Sequence, residues 1–235
     1  MKAFLLAAGL GTRLQPLTDK KPKCLLPIHG KPMLEVWLRH LAKCGVHEVL
    51  INTHYLHEQV EQFAKQWFNS PKLILKHEPS LLGSAGTLHH NRDFIHKEKS
   101  FLVCYADNLT AFDVSLLLKT LRSYQAKRPL GVMALHHSSE PWRCGIAELD
   151  QEGWIQKFEE KPRNPKSNLA NSGLYVFANE ALNFLPHNTP SDIAHDFIPK
   201  LLPRLLGLEM QVPLIDIGTP EAYERANRKS LSSEL

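Results

Sequence analysis

The sequence predicts an α/β fold built on a mostly parallel sheet. Three observations lead there. Strand-like and helical stretches alternate from the N-terminus to about residue 76. No tight hairpin signal interrupts that alternation, so neighbouring strands must be joined by right-handed crossovers. The 235 residues, 43% hydrophobic and 22% charged, are enough for one large domain with a substantial core.

The first strand ends in Leu5-Leu-Ala-Ala and runs into Gly9-Leu-Gly-Thr-Arg13. Met33 to Ala42 places apolar residues at helical spacing, and Lys43-Cys-Gly45 supplies a stop. Val46 to Ile51 reads as a strand, Glu58 to Phe68 as a helix and Leu73 to Lys76 as a third strand. Glu78 to Leu88 is a second glycine-containing loop that enters a short helix. Ser100 to Asn108 is an apolar strand that delivers Asp107 at its carboxyl end, and Asp113 is placed to cap the helix beginning at Val114. Pro129 to Leu135 is another strand. Between Trp142 and Phe158 the pattern changes to short strands around Asp150-Gln-Glu-Gly153, an antiparallel hairpin. Asn171 to Phe177 is a strand, Ser191 to Pro199 opens an amphipathic helix, and Leu214 to Ile217 is a strand followed by a helix-opening Thr-Pro.

The opening loop has the chemistry of a phosphate site. Gly9 and Gly11 let the chain turn sharply and expose backbone N–H groups, and Arg13 adds a permanently charged fork suited to phosphate oxygens. Ligands of parallel α/β sheets sit beyond the carboxyl ends of the strands, where this loop falls. Leu14 occupies the third glycine position of a dinucleotide fingerprint, Pro16 stops a regular helix, and no Walker-type G-x-x-x-x-G-K-[ST] occurs. Glycine spacing alone favours an ordinary βα turn with surface cations.

From Gly9 to Pro27 the run G-L-G-T-R-L-Q-P-L-T-D-K-K-P-K-C-L-L-P resembles the signature of the sugar-1-phosphate nucleotidylyltransferases, G-x-G-T-R-L-x-P-L-T-x-x-x-P-K-x-L-x-P, at every fixed position. Further motifs follow in the family's order: Leu82-Gly-Ser-Ala-Gly-Thr-Leu88, Tyr105-Ala-Asp-Asn108, Phe158-Glu-Glu-Lys-Pro162, Asn171-Ser-Gly-Leu-Tyr-Val-Phe177 and Asp216-Ile-Gly-Thr-Pro220. The resemblance covers nearly the whole chain. It implies a Rossmann-like three-layer α/β/α sandwich with a mixed, mostly parallel sheet, in one domain. A nucleotide-binding half would span about 1–110 and a sugar-binding half about 111–220.

The same resemblance implies the site. Leu6, Ala8, Gly9, Gly11, Thr12 and Arg13 would meet the nucleotide, with Gly83 and Thr87 at its base. Arg13, Lys23 and Asp107 would be catalytic, and Asp107 and Asp216 would hold Mg²⁺. Glu160, Lys161 and Asn171 would bind the sugar phosphate. As bare sequence, the Gly83 loop is also a helix start with small packing residues, Asp107 is also a helix cap, and Glu-Glu-Lys-Pro is also a solvated turn. Two departures stand out. Ala106 replaces the family's glycine before the metal aspartate. Ile193 and Ala194 stand where relatives often carry a sugar-binding glutamate.

The implied reaction joins a nucleoside triphosphate to a sugar-1-phosphate, releasing pyrophosphate. The Leu82–Leu88 loop looks like the guanylyl-transferring branch acting on mannose- or heptose-1-phosphate. Ile51-Asn-Thr-His-Tyr-Leu-His-Glu-Gln-Val60 is similar to uridylyltransferases of cell-wall sugar recycling, so uridylyl or thymidylyl transfer to a hexose- or amino-sugar-1-phosphate stays open. A regulatory subunit that binds nucleotide-sugar without turnover is a further alternative.

Composition narrows the partners. A net charge of +4, with basic residues dispersed, suits a small phosphorylated substrate and gives no stripe for nucleic acid. Cys24, Cys44, Cys104 and Cys144 form no C-x-x-C pair, so cytosolic thiols are expected, and no apolar run is long enough to span a bilayer. A cytoplasmic protein follows, a monomer or weak homodimer, because the β-helix that many relatives append after the D-x-G-T-P motif is not in this sequence. The thirteen histidines, including His54 with His57, His89-His90 and His136-His137, carry no metal spacing and are expected to be structural or surface residues. Trp37 and Trp67 are expected in packing.

Overall fold

A computed structural model describes residues 1–228. It divides into two compact units that interleave along the chain. The first comprises Met1–Leu81, Cys104–Asp113 and the segment from Val212 onward; the second comprises Leu82–Val103 and Val114–Gln211. The expected halves, about 1–110 and 111–220, are consecutive, whereas these units exchange the chain four times. The cause is pairing between segments far apart in sequence, which local patterning does not encode.

In the first unit, Lys2–Leu6, Glu48–Thr53 and Lys72–His77 pair in parallel, with Lys2 opposite Glu48 and Glu48 opposite Lys72. Helices Met33–Lys43 and His57–Lys65 make the crossovers, so the expected β-α-β-α-β unit is present. Leu34, Trp37, Leu38 and Leu41 form the buried stripe of the first helix. Its end is a Schellman turn. Gly45, at φ 79°, donates to the Ala42 carbonyl and Val46 donates to that of Leu41. Ala106 N donates to the Leu6 carbonyl, which brings the Cys104–Asp113 segment back beside the first strand. Asn108–Thr110 then pairs antiparallel with Leu214–Asp216.

The second unit is mixed. Gly131–His137 pairs antiparallel with Leu169–Ala178 and parallel with Leu205–Glu209. Gly145–Leu149 and Ile155–Glu160 form the expected antiparallel pair. Their turn is organised by Asp150, whose Oδ1 accepts the amides of Glu152 and Trp154, while Gly153 takes φ 87°. Phe101, Tyr175, Phe177 and Phe197 stack through the core, with ring centroids 5.2–5.9 Å apart.

The Asp113 carboxylate, just ahead of the Ser115–Ser123 helix, accepts from the Cys44 thiol. One expectation needs correction. Ser191–Pro199 does not open a regular amphipathic helix. Ile193–Phe197 is a π turn, closed by Ile198 N donating to the Ile193 carbonyl, and the α-helix that follows, Ile198–Leu201, is short. Pro199 has no N–H with which to continue the i→i−4 ladder, so the wide turn forms ahead of it.

Candidate active site

The glycine loop leaves a fully buried strand, Phe4 and Leu5, and is pinned at both ends. At its start, Ala7 N donates to Asn52 Oδ1 at 2.8 Å, and the buried Asn52 amide donates to Glu78 at 3.0 Å. At its far side, Thr18 Oγ1 donates to the Gly11 carbonyl at 2.8 Å. Gly11 has φ 67°, and a Cβ there would lie 2.9 Å from Thr18 Cγ2, so the closure requires glycine. Thr12–Leu14 is a single 3₁₀ turn. Leu14 is buried beneath it, which turns Thr12 and Arg13 outward. Among the described residues the Arg13 guanidinium has no ion-pair partner. Leu6 and Ala8 are buried, while Gly9 is exposed. A small solvent-open cleft is lined by Leu6, Ala7, Gly9, Lys23, Cys24, Ala106 and Asp107.

Lys23 reaches that cavity because Cys24 and Leu25, its neighbours in a second 3₁₀ turn, are buried. Its ammonium lies 2.6 Å from Asp107 Oδ2 and 3.5 Å from Asp216 Oδ1. The strand register explains the convergence: Asp216 is opposite Asn108, and Ile217 N donates to the Asp107 carbonyl, so the two acids arrive side by side on paired strands. A Cβ on Gly218 would lie 2.9 Å from both Arg13 Nη2 and Asp216 Oδ1, so this glycine leaves room for the guanidinium beside the carboxylate. The Lys23 side chain is only 11% exposed, against 34% for Asp107 and 51% for Asp216. The cation is therefore the desolvated partner.

Asp107 and Asp216 share one cation and offer hard oxygen donors, a set suited to Mg²⁺ and not to zinc. Among the described residues no group of three or more His, Cys, Asp or Glu side chains converges on one point. A divalent ion here would therefore draw its remaining ligands from phosphate and water, as Mg²⁺ commonly does.

The second unit holds the other residues singled out from sequence. Gly83, at φ 75°, precedes the Ser84–His90 helix, and a Cβ on it would sit 2.3 Å from the Ser191 carbonyl oxygen. Thr87 is fully buried and its hydroxyl donates to the Gly83 carbonyl, so whatever this turn offers a base comes from backbone and from Gly83. Glu160 closes its strand opposite Gly145. A Cβ on Gly145 would lie 2.5 Å from the Phe158 ring and 2.6 Å from Glu160 Oε2, so that glycine leaves room for both side chains. Burial pushes the Glu160 carboxyl up; Lys161, 3.5 Å away, counteracts this and Asp192 reinforces it. Lys161 takes φ 50°, and its ammonium extends into solvent. Asn171 is oriented from both ends: Nδ2 donates to the buried Tyr175 hydroxyl at 2.7 Å, and Oδ1 accepts from Gly173 N at 2.9 Å. Desolvation raises the pKa of the Tyr175 hydroxyl.

Ile193 and Ala194 are buried and apolar, as their sequence implies. Of the two acids in this segment, Asp192 acts electrostatically on both Glu160 and Tyr175. Neither Asp192 nor Gly145 was singled out from sequence. Asp192 could have been found as the Asp before an apolar Ile-Ala pair, an N-cap signature. Gly145 had no local signal, because its reason lies on the neighbouring strand.

The four cysteines form no disulfide, and burial pushes the Cys24 thiol up to about 12, which keeps it protonated and unreactive. The histidines have ordinary partners: His54 meets the Glu78 carbonyl, His57 pairs with Glu58 and Glu61, and His136 meets Ser172. Trp37 is buried, and Trp67 Nε1 donates to the Pro71 carbonyl.

A parallel α/β unit with a glycine-rich loop, and a lysine held between two strand-end aspartates, define an α/β protein with a candidate site where charged groups converge. The chain belongs to the nucleotidyl transferase family, whose model matches residues 2–233. It is 33% identical over 99% of its length to a candidate mannose-1-phosphate guanyltransferase of Sulfolobus acidocaldarius, and 30% identical over its full length to a UTP–glucose-1-phosphate uridylyltransferase of Synechocystis. It spans 64% of the length of each of these curated relatives. Among solved structures it resembles a candidate glucose-1-phosphate thymidylyltransferase from Bacillus anthracis, with a TM-score of 0.83 and 25% identity, covering 97% of this chain and 94% of that one. Among the described residues no helix is long and apolar enough to cross a membrane.

Proposed function

We propose that the protein transfers a nucleotidyl group from a nucleoside triphosphate to a sugar-1-phosphate, with GTP and mannose- or heptose-1-phosphate as the favoured pair. The convergence of Lys23, Asp107 and Asp216, with Arg13 close to Asp216 across Gly218, carries this reading. A sugar phosphate oxygen attacks the α-phosphorus, the bond from that phosphorus to the β-phosphate bridging oxygen breaks, and pyrophosphate leaves with the electron pair. A phosphate monoester is largely ionised at neutral pH, its second pKa being about 6, so the attack needs no general base. The obstacle is repulsion between two anions. Arg13 and the glycine-loop amides would hold the triphosphate, and Lys23 and Lys161 would neutralise phosphate charge. Glu160 and Asn171 would orient the sugar. Asp107 and Asp216 would hold Mg²⁺, which when bound supplies charge neutralisation at the reacting phosphates.

Guanylyl transfer is favoured by the Leu82–Leu88 loop and by the mannose-1-phosphate guanyltransferase relative. Uridylyl or thymidylyl transfer is the second reading, supported by the Synechocystis relative. A protein that only bound nucleotide-sugar would need neither metal carboxylate. The test is pyrophosphate release with each of GTP, UTP, dTTP and ATP against a set of sugar-1-phosphates, with and without Mg²⁺. Asp107→Asn and Arg13→Ala should each lower turnover by about 10²–10³-fold while leaving the fold intact. Wild-type-like turnover in either variant removes that residue from the mechanism, and the absence of Mg²⁺-dependent turnover with every pair removes the proposal.

A further inference from the structure

Leu82–Gly86 and Ser191–Ile193 are far apart in sequence yet joined by a closed set of hydrogen bonds. Ser191 N donates to the Leu82 carbonyl at 3.0 Å, and the Ser191 carbonyl accepts from Ala85 N at 2.9 Å and from Gly86 N at 3.2 Å. Ser84 Oγ donates to Asp192 Oδ2 at 2.7 Å and accepts from Ile193 N at 2.8 Å. The other carboxylate oxygen of Asp192 accepts from Ala194 N and His195 N, and Asp192 N donates to Asp196 Oδ2. Gly83 lies flush against the Ser191 backbone, where no Cβ fits.

Asp192 thus looks at first like a substitute for the glutamate that Ile193 and Ala194 displace. Its hydrogen bonds give it a different role within the protein. Both carboxylate oxygens are taken by donors of the protein itself, one by a hydroxyl and the other by two amides, and Ser84 uses its hydroxyl both as donor and as acceptor. Such a pair holds two segments in register. A loop that is already ordered binds its ligand without first spending binding energy on ordering. Bonds to an ionised acceptor are the stronger ones for this purpose.

We infer that Ser84 and Asp192 are positioning residues for nucleotide recognition: they lock the Leu82–Gly86 turn onto the Ser191–Ile193 segment, so that the backbone of the turn is presented to the base in a fixed conformation. The inference rests on the proposed reading of that turn as the base-contacting segment. Ser84→Ala removes the hydroxyl link, Asp192→Asn weakens it, and Ser84→Thr retains it. Initial rates of pyrophosphate release, with triphosphate and sugar-1-phosphate varied in turn, should show KM for the triphosphate raised about tenfold in Ser84→Ala. Its kcat and its KM for the sugar phosphate should stay within about twofold, with Ser84→Thr restored to near wild type and Asp192→Asn intermediate. Equilibrium titration with the triphosphate alone should show the same order of affinities. Unchanged triphosphate KM in Ser84→Ala, or a loss of melting temperature without a KM change, overturns the inference and leaves the proposed activity standing. Failure of the wild-type protein to turn over any triphosphate overturns both.

Discussion

Replacing Lys23 by Met removes the one cation that Asp107 and Asp216 share, and the structure separates its effect on stability from its effect on function. With an effective dielectric constant of about 20, unit charges at 2.6 Å and 3.5 Å attract by about 6 and about 5 kcal/mol. Most of this is offset by desolvation of an ammonium that is only 11% exposed. The abandoned carboxylates are a third and a half exposed and can rehydrate, so the net cost to folding should be about 1–2 kcal/mol. The cost to turnover should be larger, about 10²–10³-fold, because a charge that faces the phosphates is lost. Metal binding should move the other way. In the nucleotide-free protein the ammonium sits where a divalent ion would compete for the same oxygens. Lys23→Met should therefore bind Mn²⁺ about tenfold more tightly than wild type when no nucleotide is present. Differential scanning fluorimetry, pyrophosphate release and calorimetric titration with Mn²⁺ measure the three quantities separately. Equal or weaker Mn²⁺ affinity in the variant would refute the competition, and full turnover would refute the role of the ammonium.

Gly218→Ala should fold normally, because its new Cβ meets the ends of two side chains that can swing away. Those side chains are Arg13 and Asp216, so turnover should drop about tenfold or more while the melting temperature holds; loss of fold instead would show that the packing is rigid. Glu160→Gln should raise stability near neutral pH. The folded-state carboxyl is pushed up by burial from 4.5, so ionisation opposes folding as pH rises through the folded pKa. The gain should be present above that pKa and vanish at pH below 4.5, the ordinary value, and turnover should fall at every pH. Melting temperatures of both proteins across this range would settle the sign.

What the sequence made legible follows from how local its causes are. The first unit's helices and strands were readable because periodicity, Gly45 and Pro16 act over a few residues. Asp107 and Asp216 carried a local mark too, an acid at the end of an apolar strand, and register then brought them together. Gly145, by contrast, is a glycine because of Phe158 and Glu160 across the sheet, and Gly83 because of the Ser191 backbone.

The acid pair also constrains how a metal site of this kind can work. Two carboxylates already satisfied by one ammonium hold no cation strongly, and no third acidic or imidazole group is at hand among the described residues. An ion that needs six oxygens must then take most of them from phosphate and water. Nucleotide phosphates would bring those oxygens and at the same time offer Lys23 a competing anion. Under the proposed activity, triphosphate and metal should therefore bind with positive coupling, each raising the other's affinity by the same factor. Titrating Mn²⁺ at several fixed concentrations of a non-hydrolysable triphosphate measures that factor in the wild-type protein. In Lys23→Met it should shrink, since the competing ammonium is gone; a factor that stays the same would mean that Lys23 does not compete with the metal.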